Sequence, residues 1–124
     1  MSKRWVSVLG MGLVALGVGP VQAHGEAIAR HGGVVQVASD LSFELVAQGD
    51  GAAIYIEDHE KPRAAAGFSG KLTVLNGADR VDADLKPAGD RLAATGVKLV
   101  RGSKAVASVV TADKKTITLR FVVK

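Results

Sequence analysis

Apolar and polar residues alternate along most of this chain, at the two-residue spacing that sends one kind of side chain to each face of a β-strand. The clearest stretch is residues 116–123 (TITLRFVV), where apolar residues occupy the odd-numbered positions. Residues 41–45 (LSFEL) and 53–57 (AIYIE) show the same spacing, which predicts that Ile54 and Ile56 face inward. The dominant element of the chain is therefore predicted to be a short β-strand with one buried face.

A turn signal, Asn76-Gly77, joins two more alternating stretches into a predicted hairpin. The apolar residues of both stretches are predicted to face inward. They are Leu72 and Val74 in the first stretch and Val81, Ala83 and Leu85 in the second. The intervening aspartates belong to a solvated face. Further strands are predicted over residues 34–37, 91–94 and 105–111.

Seven or eight strands at this spacing, in about 100 residues, indicate an all-β protein. We predict a small antiparallel β-sandwich of immunoglobulin-like architecture, and a partly closed barrel would give the same pattern. No stretch has a convincing helical period, although residues 62–67 have room for one helical turn.

The first 23 residues have the three parts of a secretory signal peptide. A basic start at Lys3-Arg4 precedes an apolar stretch over residues 5–18, and small residues lead to a cleavage site after Ala23. The apolar stretch is shorter than the roughly 20 residues of a membrane span. We therefore expect export to the periplasm and cleavage of the signal peptide 1–23. A flexible His/Gly lead-in over 24–33 and a β-sandwich domain over 34–124 would remain.

Sulfur chemistry is excluded from the expected exported protein. Cysteine is absent, and both methionines, Met1 and Met11, lie within the signal peptide. This rules out disulfide bonds, a lipid-modified cysteine and the thiolate or thioether ligands that copper(I) prefers. The formal net charge of +4 falls to +2 without Lys3 and Arg4, and the other basic residues are scattered. A nucleic-acid partner is not expected, because such proteins cluster their basic residues.

Three histidines are the candidate metal ligands. Removal of the signal peptide makes His24 the first residue, so its α-amine and imidazole can chelate one ion. His31 is followed by two glycines, and His59 lies in a charged turn beside Asp58 and Glu60. Imidazole and carboxylate groups suit copper(II) or zinc. If the lead-in folds back on that turn, these five residues form one site, whose affinity falls as the pH drops through about 6.5.

Each histidine also has an ordinary interpretation. His59 can simply be solvated, and His31 with its two glycines is also a common flexible entry to a first strand. Cleavage after Ala29, with Ala27 at the third position before the cut, would remove His24 altogether. No two ligands have the tight helical spacing of a strong metal motif. Enzymatic activity is not expected, because the sequence has neither a nucleophilic triad arrangement nor a phosphate-binding loop.

Four segments resemble a small exported β-domain of proteobacterial heavy-metal efflux loci. They are residues 31–35 (HGGVV), 40–46 (DLSFELV), 54–59 (IYIEDH) and 61–62 (KP). The first is also similar to the His-Gly-Gly segment near the front of periplasmic adaptor subunits of heavy-metal efflux pumps. The resemblance covers about half of the exported chain and implies a periplasmic role in handling transition metals. The chain lacks the coiled-coil hairpin of an adaptor, so a complete pump subunit is not implied.

We therefore expect a periplasmic protein that binds divalent copper or zinc as a buffer or carrier in metal resistance, with a component of a heavy-metal efflux pump as its partner. The alternative is a metal-free β-sandwich interaction module that docks on an envelope or efflux partner through a strand edge. An oxidative copper enzyme is disfavoured, because the small domain lacks an aromatic surface for a polymeric substrate.

Overall fold

The computed structural model describes residues 27–124, which form nine antiparallel β-strands and no helix. None of these residues lies in a helix that meets the length and hydropathy of a membrane span. The strands are β1 (Val34–Ala38), β2 (Leu41–Gln48), β3 (Gly51–Asp58), β4 (Lys61–Pro62), β5 (Ser69–Asn76), β6 (Asp79–Ala88), β7 (Arg91–Thr95), β8 (Lys104–Val110) and β9 (Thr116–Val122).

The strands follow the order β1-β2-β3-β7-β6-β5-β8-β9, and the short β4 pairs with the end of β3. Strand β6 connects two halves of this sheet, because residues 79–85 pair with β5 whereas residues 86–88 pair with β7. The outer strands β1 and β9 lie close together, but no ladder between them is present in the described part of the chain. The sheet is thus nearly closed as a barrel, which confirms the predicted small all-β fold.

The core is formed by the alternating apolar residues that the sequence pattern indicated. Ile54 and Ile56 are almost completely buried, and residues 117, 119 and 121 of β9 are buried while their neighbours are exposed. Because successive strand residues point to opposite faces, each strand contributes every second side chain to this interior. The largest fully buried apolar side chains are Phe43, Leu45, Ile54, Ile56, Leu72, Leu85, Leu92, Val74 and Val109.

Three details differ from the sequence-based expectation. There are nine strands rather than seven or eight, because the two-residue β4 is too short to show a pattern. Residues 62–67 contain no helical turn. Val81 is 42% exposed, although its partner Val74 in β5 is buried. The physical reason is that β6 is shared between two partner strands. Strand β7 pairs only with residues 86–88, so Val81, near the hairpin end, has a neighbouring strand on the β5 side alone.

Candidate functional site

A buried glutamate on the outer surface of β2 organises the lead-in. Glu44 lies between Phe43 and Leu45, which both point into the core, so its side chain points outward. It is nevertheless only 5% exposed. The lead-in segment runs across this face and covers the carboxylate. Buried carboxylates are rare unless their oxygens are hydrogen-bonded, so the burial of Glu44 indicates that the covering segment supplies hydrogen-bond donors.

Among residues 27–124, every hydrogen bond to the Glu44 carboxylate comes from the lead-in. The backbone N–H of Arg30 donates to Oε1 at 3.0 Å, and the backbone N–H groups of His31 and Gly33 donate to Oε2 at 2.8 Å each. The Nδ1 atom of the His31 ring lies 3.0 Å from Oε1. Four donors therefore converge on one carboxylate, and this arrangement fixes both the backbone at residues 30–33 and the ring of His31.

These contacts favour the ionised form of Glu44. Burial raises the pKa of a carboxyl group and is the largest single influence here. The hydrogen bonds from the His31 ring and from the backbone of Gly33, Arg30 and His31 together outweigh it, so the pKa of Glu44 is lowered. The carboxylate is thus an anion at neutral pH.

The two glycines after His31 have different structural roles. Gly32 adopts a φ of 79°, a left-handed conformation that side chains disfavour. At Gly33 a Cβ atom would clash with the carbonyl oxygen of Leu45, so only glycine lets the lead-in lie directly on β2. The glycines therefore bring the chain close to the protein's own backbone, which places His31 over Glu44.

We expect Gly33→Ala to lower the free energy of unfolding by about 2–3 kcal/mol, because the new methyl group must push the lead-in away from β2. Urea denaturation of the variant measures this loss. Gly32→Ala is the matched control: a Cβ there meets no atom within 4 Å, so only backbone strain of about 1 kcal/mol is expected. An equal or smaller loss for Gly33→Ala than for the control would contradict the close packing described above.

The ring of His31 is held on both its edge and its face. Its plane stacks on the Tyr55 ring, with centroids 3.6 Å apart and an interplanar angle of 7°. Gln48 in turn donates a hydrogen bond to the Tyr55 hydroxyl at 2.8 Å. Because Nδ1 faces an ionised carboxylate, it carries the proton, and in the neutral ring Nε2 then has the free lone pair. Nε2 has no hydrogen-bond partner among residues 27–124.

This arrangement is the one that metal-binding histidines commonly show, in which a carboxylate orients the ring. His31 lines a cavity of about 280 Å³ together with Tyr55 and three carboxylate residues, Glu57, Glu60 and Asp90. The side chain of His31 is 36% exposed, so its ring is accessible from solvent. The cavity therefore combines one oriented imidazole with acidic oxygens.

His59 and Asp58 line a different cavity, of about 560 Å³. Nδ1 of His59 lies 2.6 Å from Oδ1 of Asp58, and the His59 side chain is 85% exposed. His59 and Glu60 form the turn between β3 and β4, with φ values of 52° and 71°. Positive φ at both turn positions is what a tight hairpin requires. Of these two turn residues, only Glu60 lines the cavity of His31.

The structure thus brings His31 and Glu60 into one cavity and places Asp58 and His59 in another. His24 lies outside the described residues. Within residues 27–124, no group of three or more His, Asp or Glu side chains is placed to hold a metal ion by itself. The complete predicted site of His24, His31, His59, Asp58 and Glu60 stays a prediction.

Two residues of this site were not predicted from the sequence. Glu44 and Tyr55 both occupy outward positions of strands, where a polar residue is ordinarily solvated. Only the fold shows that the lead-in covers them. The one available signal was the pair of glycines after His31, which indicates a close approach but does not identify the surface approached.

Comparison with known proteins identifies no relative: no protein family matches this chain, and neither a curated protein nor a solved structure is significantly similar to it.

Proposed function

We propose that this protein binds a divalent transition-metal ion, copper(II) or zinc, as a periplasmic buffer or carrier in metal resistance. The observation that supports the proposal most strongly is the His31 ring, whose Nδ1 is held by buried Glu44, whose Nε2 has no partner among residues 27–124, and which shares a cavity with acidic residues. In this proposal the metal ion is cargo. A component of a heavy-metal efflux pump is the proposed partner, and the signal peptide over 1–23 is the basis for the periplasmic location.

The proposed ligands of the His31 centre are Nε2 of His31, the carboxylate of Glu60, and the α-amine and imidazole of His24. Nitrogen and oxygen donors of this kind suit copper(II) and zinc. Six residues lie between His24 and His31, and the seven residue-to-residue steps of an extended chain span up to roughly 25 Å. His24 can therefore reach the cavity. His59 and Asp58 line the other cavity and are not needed for this centre.

We expect one alanine added before His24 to weaken copper(II) binding at least about tenfold, because the chelate ring needs the imidazole on the first residue. The test is calorimetric titration of protein exported from the full sequence, with its first residue established by intact mass. The matched control carries the alanine between His24 and Gly25, which keeps His24 first at the same chain length. Identical isotherms for the unaltered protein and both insertion variants would contradict the N-terminal chelate.

The second candidate is a metal-free interaction module that docks through a strand edge. Strand β1 favours it, because this outer strand contains neither a charged residue nor proline, and Val37 is 54% exposed. Natural outer strands usually carry charged residues or proline, which prevent unwanted pairing with other strands. A native-state ligand must raise thermal stability. Unfolding temperatures that do not change with micromolar copper(II) or zinc would therefore favour docking over metal binding.

A further inference from the structure

The acidic cavity beside His31 is partly neutralised by arginine. Nε of Arg30 lies 3.1 Å from Oε2 and 3.2 Å from Oε1 of Glu57, so it contacts both carboxylate oxygens. Nη1 of Arg91 lies 3.3 Å from Oδ1 of Asp90, a single contact. Glu60 has no ion pair among the described residues. A cation that enters the cavity therefore meets one unpaired carboxylate and two that already have a positively charged partner.

Arg30 differs from Arg91 because it is fixed next to the proposed ligand. It directly precedes His31, and its backbone N–H is bound to Glu44, so its side chain starts from a fixed point beside the cavity that it lines. The side chain of Glu57 is only 13% exposed, whereas that of Arg30 is 41% exposed, so water screens this ion pair from the arginine side only. Arg30 thus places a permanent positive charge in the cavity that His31 also lines.

We propose that Arg30 is an affinity-limiting residue, which competes with the metal ion for the cavity and keeps binding reversible. The inference rests on the proposed function. A bound divalent ion is repelled by the guanidinium group, and it gains Glu57 as a ligand only by displacing Arg30. Both effects weaken binding. A carrier needs this property, because an ion that never dissociates cannot be handed on.

The test is copper(II) calorimetry on protein exported from the full sequence, with Arg30→Gln as the variant. Glutamine keeps the backbone N–H that donates to Glu44 and removes the charge. We expect the dissociation constant to fall roughly tenfold. In the double variant Arg30→Gln with Glu57→Gln, the gain is expected to shrink, because the released carboxylate is no longer present.

Arg80→Gln is the matched control, since Arg80 contacts Asp82 on exposed β6 and removing it changes the net charge equally. Its affinity is expected to equal that of the unaltered protein. The inference is overturned if Arg30→Gln binds copper(II) no more tightly than the unaltered protein, or if Arg80→Gln shows the same gain. If the unaltered protein binds no copper(II), the proposed function itself fails, and the role of Arg30 fails with it.

Discussion

Glu44→Gln is expected to lower the free energy of unfolding by about 2–4 kcal/mol, a large share of the stability of a small domain. Glutamine has nearly the shape of glutamate but only one acceptor oxygen, and its amide group would face backbone N–H donors. Bonds to a charged acceptor contribute more than bonds to a neutral one. The variant therefore loses the attachment of the lead-in, and copper(II) affinity is expected to fall about 10- to 100-fold.

Urea denaturation at several pH values separates this account from a general effect of charge. The folded state lowers the pKa of Glu44. The stability that its charge contributes is therefore complete above the ordinary pKa of glutamate and is lost as the pH falls through the lower, folded-state pKa. The difference between the two proteins should persist above the ordinary pKa of glutamate and decrease below about pH 4.

Glu60→Gln is the control for Glu44→Gln, since Glu60 is exposed and its loss should change stability by less than about 0.5 kcal/mol. Equal stability losses in Glu44→Gln and Glu60→Gln would contradict the anchoring role of Glu44.

His31→Phe is expected to weaken copper(II) binding at least about a hundredfold, whereas His59→Phe should leave the His31 centre intact. Phenylalanine keeps an aromatic ring over Tyr55 but has no nitrogen to bind a metal ion or to donate to Glu44. The backbone N–H groups of residues 30, 31 and 33 still hold the lead-in in place. The loss therefore reports on coordination.

Calorimetric titration of both phenylalanine variants measures this difference. His59 is a suitable control, because it has the same hydrogen bond from Nδ1 to a carboxylate but lies at an exposed turn beside another cavity. Equal losses in the two variants would mean that both histidines bind the same ion, as the sequence alone suggested. A loss only in His59→Phe would contradict the choice of His31.

The sequence predicted the architecture because alternation is a local property that directly reflects burial. Residues 116–123 show it most clearly, and the odd positions up to Phe121 are buried as expected. Val81 shows where the pattern fails. Its alternation is as regular as that of Leu72, yet its burial depends on whether β7 reaches the end of β6, which the sequence of β6 does not encode.

The candidate site was predicted only in part, because its central contact joins distant parts of the chain. His31 and Glu60 were identified as chemically suitable side chains, and they do line one cavity. Glu44 was overlooked because it alternates with Phe43 and Leu45, as an exposed residue would. Its role depends on the lead-in crossing β2, and no local pattern specifies that path. His59 is chemically as suitable as His31, and only the geometry of its turn separates the two.

Fluorescence of Tyr55 tests the central claim, that a metal ion binds at His31, most directly. Tyr55 is the only tyrosine, and the single tryptophan, Trp5, lies in the expected signal peptide. Copper(II) binds a given nitrogen and oxygen site more tightly than zinc and is a short-range quencher, so it is the suitable probe. We predict strong, saturable quenching of the exported protein at one equivalent of copper(II), and none in His31→Phe. Unquenched emission at saturating copper(II), or equal quenching in His31→Phe, would contradict the account.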